Sequence, residues 1–234
     1  MAMKVRLHTL PNQVAGILAR RIAIRELKDG LVPSEQEISQ EFTVSRAVAR
    51  ESLKILAALD MVEIAQGRRV AVRPEAEWDY LSPALIDWLP HEHIRQLFHE
   101  LHDARLMFEP PIAAQAAQNL TSENLSQLGR LVDEMPKRHN DTDGYLELDL
   151  EFHMEICRAT RNRILDRFMY SSRWWQSASR RISNQAPDAL VIATEQHRAV
   201  YDALVARDPA RAEAAMRAHL LQNTILKMVD GQAV

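Results

Sequence analysis

Apolar residues recur at helical spacing over residues 11–27, at Val14, Ile17, Leu18 and Ile22, and predict an opening amphipathic helix. Ser34 and Glu37 stand just ahead of Ile38 and Phe42 as an S-x-x-E pair. Such a pair satisfies two free backbone amides reciprocally and marks a helix start. That short helix stops near Thr43-Val44, and Ser45 caps the next, which runs to about Leu59 with Val48, Ile55, Leu56 and Leu59 on its apolar side. The period then drops to two. Val62–Ile64 and Arg69–Val72 alternate as short strands around Gln66-Gly67. Two helices, a tight turn and a small hairpin make a winged helix-turn-helix.

Arg73-Pro74 closes this head, because proline has no amide to continue a ladder. Beyond it the pattern is helical throughout, over 82–89, 91–119, 122–138, 142–159, 162–184, 188–206 and 209–229. The breaks fall at Leu120-Thr121, Asn140–Gly144, Asn162, Ala186-Pro187 and Asp208-Pro209. Pro110-Pro111 should kink or split the second of these helices. The predicted fold is mainly α. Residues 1–73 form the winged head, 74–90 a linker segment, and 91–234 an antiparallel all-helical bundle.

Composition removes several classes of function. Only 6 of 234 residues are glycine and neither G-x-G-x-x-G nor G-x-x-x-x-G-K-[ST] occurs, which argues against nucleotide-binding phosphate loops. The single cysteine, Cys157, excludes an internal disulfide and any multi-cysteine metal centre. No apolar run approaches a membrane span and no signal peptide opens the chain, so a cytoplasmic protein with no membrane partner is expected. The net charge of −3 is unevenly spread: residues 1–73 hold 12 Lys/Arg against 8 Asp/Glu, and the remainder 17 against 24. A basic head on an acidic body suggests that the head meets a polyanion.

The third helix carries the chemistry for that meeting. Arg46, Arg50 and Lys54 are four residues apart and share one face, away from the apolar side. Arginines there can read guanine edges or grip phosphate, and the Ser45 hydroxyl with the free amides of the first turn suits a phosphate. A solvated basic stripe is the plainer alternative. The stretch Pro33-Ser34-Glu35…Ile38…Phe42-Thr43-Val44-Ser45-Arg46…Val48…Arg50-Glu51…Leu53…Leu56 resembles the DNA-binding domain of the GntR superfamily of bacterial transcription factors over residues 10–73. The resemblance implies operator contacts from Ser45, Arg46, Arg50 and the wing-tip Gly67; Lys54 and Arg68 complete the candidate set. Thr43 and Asp60 stand where that superfamily usually has glycine, and Arg68-Arg69 follow Gly67 where a second glycine is usual.

In the body, Asp149 and His153 lie one turn apart on a stripe with Leu146, Leu150 and Ile156. His197 shares a stripe with Leu190, Ala193, Val200 and Leu204; His219 shares one with Ala212, Ala215, Met216 and Leu220. His197 is 11 residues before Asp208 and His219 is 11 after it, so an antiparallel hairpin sets them level. Three imidazoles and a carboxylate on inward stripes suit a divalent metal, Zn²⁺ first, with Ni²⁺ or Mn²⁺ as alternatives. Each histidine taken singly is more simply a hydrogen-bonded core residue. His91, His93, His99, His102 and His139 read as surface or capping residues. The body, about residues 91–228, also resembles the FCD ligand-binding domain of the FadR branch of GntR regulators. That resemblance implies that Asp149, His153, His197 and His219 are all metal ligands, that an acid effector binds beside the metal, and that Arg105 contacts it. An ion pair of Arg105 with Glu109 is the equal alternative for that residue. Ser171, Ser172, Arg173 and Gln176 lie on the following helix, where Arg173 is a second candidate effector contact.

The function expected is a ligand-responsive transcription factor, a repressor of a catabolic operon, and not an enzyme. It would act as a homodimer on a palindromic operator and sense a small organic acid. The segment Trp78-Asp79-Tyr80-Leu81 with Leu85 and Trp88 resembles that of sugar-acid-responsive, galactonate-type members; a hydrophobic clamp between head and body explains the same residues. Two alternatives are a metal-dependent hydrolase or lyase fused to a DNA-binding head, and a plain dimerisation body whose histidines bind nothing.

Overall fold

The structure, a computed structural model, describes residues 9–27, 30–184 and 188–222. The chain divides into two compact units, 1–94 and 95–234.

In the first unit α1 (Leu10–Ala23) packs on α3 (Arg46–Ala58), with α2 (Glu35–Glu41) beside it. The capping box is present: Ser34 N–H donates to Glu37 Oε2 at 2.7 Å and Glu37 N–H to Ser34 Oγ at 3.3 Å. Ser45 Oγ caps α3 by accepting from Val48 N–H at 3.3 Å. The buried stripes are rotated slightly from the expected ones. Ile17 is 45% exposed and Ala15 and Ala19 take its place; on α3, Ala49, Ser52, Leu53 and Leu56 are buried while Val48 and Ile55 are only half-buried. Small residues let α1 and α3 approach closely, and the larger neighbours are turned outward. The turns after α2 and α3 need left-handed backbone, and Thr43 (φ 53°) and Asp60 (φ 55°) adopt it. Threonine is strained there; aspartate tolerates the conformation better.

The wing is shorter than its sequence pattern. β1 (Val62–Glu63) and β2 (Ala71–Val72) pair antiparallel with Val62 opposite Val72, and Leu31 adds one bridge to Ala71. Gly67 turns the tip at φ 72°. After the wing, α4 (Ala84–Trp88) lies against α1. Leu85 and Trp88 are buried there, while Leu81 is 41% exposed. The Trp88 indole sits 2.8 Å from where a Cβ on Gly16 would stand. Gly16→Ala therefore has to displace a buried ring, at about 1–3 kcal/mol, more than the roughly 1 kcal/mol alanine returns in helix propensity. A lower urea midpoint is expected for Gly16→Ala, with partial recovery in Gly16→Ala/Trp88→Leu.

In the second unit, α5 (His91–Asn119), which begins in the first, runs through Pro110-Pro111 as one unsplit helix. The prolines remove two amide donors, and the residues buried before and after them, Arg105 and Glu109 on one side and Ile112 and Ala113 on the other, anchor the helix across the pair. Next come α6 (Ser122–Glu134), a 3₁₀ turn Met135–Arg138, α7 (Thr142–Ala159), α8 (Arg163–Ser183), α9 (Ala189–Val205) and α10 (Pro209–Leu221). The helix expected over 122–138 tightens at Pro136 into that turn, and the end expected for the last helix, beyond 222, lies outside the described residues. Asn162 caps α8 by accepting from Ile164 and Leu165 N–H. Ile112, Leu128, Phe152, Val200, Leu204 and Met216 are buried in one core, around which the helices pack as neighbours α6–α7, α7–α8, α6–α9 and α9–α10.

Candidate metal centre and candidate nucleic-acid interface

Helix α7 places Asp149 and His153 one turn apart; α9 and α10 meet them with His197 and His219. The four side chains are buried, and one ligand atom from each lies within 4.8 Å of the others. The hairpin arithmetic holds: the rings of His197 and His219 are 4.3 Å apart.

The hydrogen bonds around the cluster decide what its inner atoms can do. His197 Nδ1 is 2.6 Å from the Ala193 carbonyl oxygen. His219 Nδ1 is 3.1 Å from Gln196 Oε1, whose own amide N–H donates to Gln222. His153 Nδ1 is 2.7 Å from Glu109 Oε2, an ion contact whose alignment is off that of a hydrogen bond. Each outer nitrogen faces an oxygen that can only accept, so each carries the proton and leaves a lone pair on Nε2. Those lone pairs face one another. His153 Nε2 and His219 Nε2 are 3.2 Å apart, and His197 Nε2 is 3.0 Å from Asp149 Oδ1. His197 Nε2 is buried without a hydrogen-bond partner. Acceptors turned toward each other in a dry interior repel unless a cation stands between them. Three nitrogens and one carboxylate oxygen, with His197 and His219 hydrogen-bonded from behind and His153 backed by the Glu109 carboxylate, are the donor set and outer support of a divalent metal site. Those residues could hold such an ion.

Burial opposes charge throughout the cluster. It pushes His153 down to about 4, against the pull of Glu109, and holds His219 well below its ordinary value with help from His197 and His153. Burial is the largest influence on the carboxylates of Asp149 and Glu109 and penalises both, but Arg180, His197 and His153 together outweigh it at Asp149, and Arg105 with His153 at Glu109, so both stay lowered. His153 and His219 are thereby kept neutral between two ionised carboxylates, the state in which imidazoles bind metal.

Arg105 reaches the cluster and is also paired as the alternative expectation had it: its Nε is 2.5 Å from Glu109 Oε1. Arg173 does not join it; it stacks over Tyr170 and Trp174, 4.0 and 5.1 Å from the ring centres. Three residues were not foreseen. Arg180 forms an ion pair with Asp149 Oδ2 and donates to Gln176 Oε1 at 2.9 Å, while Gln176 donates to Ser172 Oγ. The signal was in α8, where Arg180 falls on the inner stripe of Met169, Ser172 and Gln176. Glu109 was weighed only as a partner of Arg105. His102, expected at the surface, is buried at 8% exposure on the α5 stripe Phe98, Arg105 and Glu109. Its own helix is polar enough on both sides to hide that from periodicity.

In the first unit Ser45, Arg46, Arg50, Lys54, Gly67 and Arg68 are all exposed. Arg50, Lys54, Gly67 and Arg68 line a groove of about 540 Å³ between α3 and the wing; Ser45 and Arg46 do not line it. Arg50 is held by Glu35 through a bidentate ion pair of 2.9 and 3.0 Å, and Arg69 lies 3.4 Å from Glu37. The basic face therefore rests on two carboxylates of α2. No helix among the described residues is long and apolar enough to cross a membrane.

A winged head with an exposed basic helix, joined to a helical body with a buried polar cluster, defines a ligand-responsive DNA-binding regulator. Comparison with known proteins gives the family. The description "Bacterial regulatory proteins, gntR family" matches residues 10–72, and "FCD domain" matches residues 100–222. The chain belongs to the GntR family of bacterial regulators, with an FCD domain as its body. Among its relatives is the galactonate operon transcriptional repressor of Escherichia coli K12, 27% identical over 82% of this chain and 85% of that one. The HTH-type transcriptional repressor NanR of Cronobacter sakazakii is 32% identical over 90% and 82%. The solved structure of Lar, which controls the expression of the Listeria monocytogenes agr system, shares the fold at a TM-score of 0.62 with 17% identity, over 95% and 98% of the two chains. The family's members are transcription regulators rather than enzymes; they bind operator DNA, generally as dimers, and respond to small molecules.

Proposed function

We propose that this chain is a repressor of a catabolic operon that senses a sugar acid at a Zn²⁺ site formed by Asp149, His153, His197 and His219. The observation that carries the reading is the set of inward nitrogens, with His197 Nε2 set 3.0 Å from Asp149 Oδ1, the outer nitrogens of His197 and His219 hydrogen-bonded, and that of His153 facing the Glu109 carboxylate. Bound there, a divalent ion would supply positive charge and, by expanding its coordination beyond the four protein donors, a place for an oxygen ligand. The surrounding charges, Arg105 and Arg180 against Glu109 and Asp149, balance without it. A divalent ion therefore leaves an excess of positive charge in a buried space, and a carboxylate effector neutralises it. Arg105 and Arg180 are the cations that would orient that carboxylate. Ser172, Gln176 and Ser179 give α8 a buried polar lining, which suits hydroxyl groups and not an acyl chain. The galactonate operon repressor among the relatives supports the same class of acid.

Effector binding would favour one geometry of the bundle, and the heads of a homodimer on a palindromic operator would respond. Calorimetric titration of zinc-loaded protein with D-galactonate, other hexonates, hexuronates and keto-deoxy acids tests this. At least one should bind, and Arg105→Ala should weaken it by about 10- to 100-fold, the loss of a charge-assisted hydrogen bond. Binding of an amino acid or a fatty acyl thioester, with none of the sugar acids, would overturn the reading.

A further inference from the structure

Glu109 occupies an unusual place for a buried carboxylate. It is 2% exposed, and its two oxygens are divided between partners with separate tasks. Oε1 lies 2.5 Å from Arg105 Nε, and Oε2 lies 2.7 Å from His153 Nδ1 and 3.3 Å from Arg105 Nη2. One carboxylate thus links a cation facing the effector to an imidazole of the metal set. Neither of the other two histidines has such a link. His197 is held by a backbone carbonyl and His219 by a neutral amide.

A charged acceptor behind an imidazole fixes the ring and makes its far nitrogen more basic. A guanidinium on that acceptor withdraws part of the effect, because it competes for the same lone pairs. We propose that Glu109 is a positioning residue that couples the two halves of the site: it sets the metal affinity of His153, and it competes with an effector carboxylate for Arg105. An acid that engages Arg105 draws the guanidinium from Glu109 and leaves the carboxylate wholly to His153. Metal and effector then strengthen each other, and by linkage the effect is reciprocal. The proposal rests on the reading of the site as one for metal and acid. Its metal arm can be tested without any effector.

The decisive variants are Glu109→Gln and the charge-balanced Arg105→Gln/Glu109→Gln. Glutamine keeps an acceptor oxygen in reach of His153 but removes the charge. Zn²⁺ affinity, measured by competition with a chromophoric chelator, should fall by about 10- to 100-fold in both variants. The visible bands of the Co²⁺-loaded protein should shift, reporting a weaker imidazole donor. Glu109→Asp, which keeps the charge, should recover part of the affinity. D-Galactonate should bind zinc-saturated Glu109→Gln several-fold more tightly than wild type, since Arg105 has lost its competitor. If Glu109 only balances the charge of Arg105, Glu109→Gln loses thermal stability, the double variant regains it, and zinc affinity and cobalt spectrum stay at wild-type values. That result overturns the proposal, and so does unchanged zinc affinity in a stable Glu109→Gln. If zinc affinity falls but the sugar acid that binds wild type binds zinc-saturated Glu109→Gln no more tightly, the role toward His153 stands and the exchange at Arg105 is refuted; if no sugar acid binds either protein, the sugar-acid reading is refuted as well.

Discussion

Removal of the imidazoles of His197 and His219 together is expected to abolish metal binding and most of the stability that metal confers. Purified wild type should carry about one divalent ion per chain by elemental analysis, and His197→Ala/His219→Ala none. The two remaining donors, Asp149 and His153, are one turn apart on α7 and cannot close a tetrahedral set alone. A ligand present at about 1,000 times its dissociation constant stabilises the folded state by roughly 4 kcal/mol. For a chain of this size that corresponds to about 8–16 °C in Tm. Chelation should therefore lower the Tm of wild type by that order and leave the double variant unmoved. DNA binding by isolated operator titration checks that the head remains folded. Full metal occupancy in the double variant would place the site elsewhere, and a chelator-insensitive Tm in wild type would mean that the inward lone pairs are reconciled by protons.

Much of this molecule could be read from sequence because its signals are local. Ser34 and Ser45 cap the helices they were expected to cap, and Asn162 and Asp208, where breaks were expected, cap α8 and α10, since a capping side chain bonds to amides two or three residues away. The convergence of Asp149, His153, His197 and His219 was legible for a different reason. A polar residue on an apolar stripe is conspicuous, and the equal spacing of His197 and His219 from Asp208 needs only helix geometry. Charged partners that arrive from other helices were harder. The 2.7 Å contact of Glu109 with His153 spans 44 positions, and nothing in the period of α5 shows which face α7 will cover. Arg173 and Arg180 are two turns apart on nearly the same side of α8. Which of them enters the cluster and which stacks on Tyr170 was decided by packing and not by pattern. Thr43 and Asp60 show the converse case: the backbone kept its left-handed turns although the side chains are not glycine, because the elements on each side, α2 and α3 for Thr43 and α3 and β1 for Asp60, fix them.

The second large effect concerns the head. Arg46→Ala and Arg50→Ala should each weaken operator binding by roughly 5- to 150-fold if they contact base edges, the range for a lost bidentate contact. If they contact phosphates, the weakening should instead be uniform across sequences, and the slope of log K against log salt should fall by about one. Arg50 poses the sharper question, since Glu35 already holds it. Both side chains of that pair are largely exposed, at 62% and 36%. An exposed ion pair is screened and contributes little, whereas a contact with DNA gains from counterion release and a dense line of phosphates. DNA should therefore win the competition for Arg50. Glu35→Gln then provides the discriminating arm. If Glu35 merely occupies Arg50 in the free protein, removing its charge should tighten binding and steepen the salt dependence. If it steers the guanidinium toward a base edge, Glu35→Gln should relax discrimination between operator and scrambled DNA while overall affinity is kept. A head in which Arg46→Ala, Arg50→Ala and Glu35→Gln all titrate like wild type in gel-shift assays would mean that the exposed face of α3 is not the surface that reads the operator.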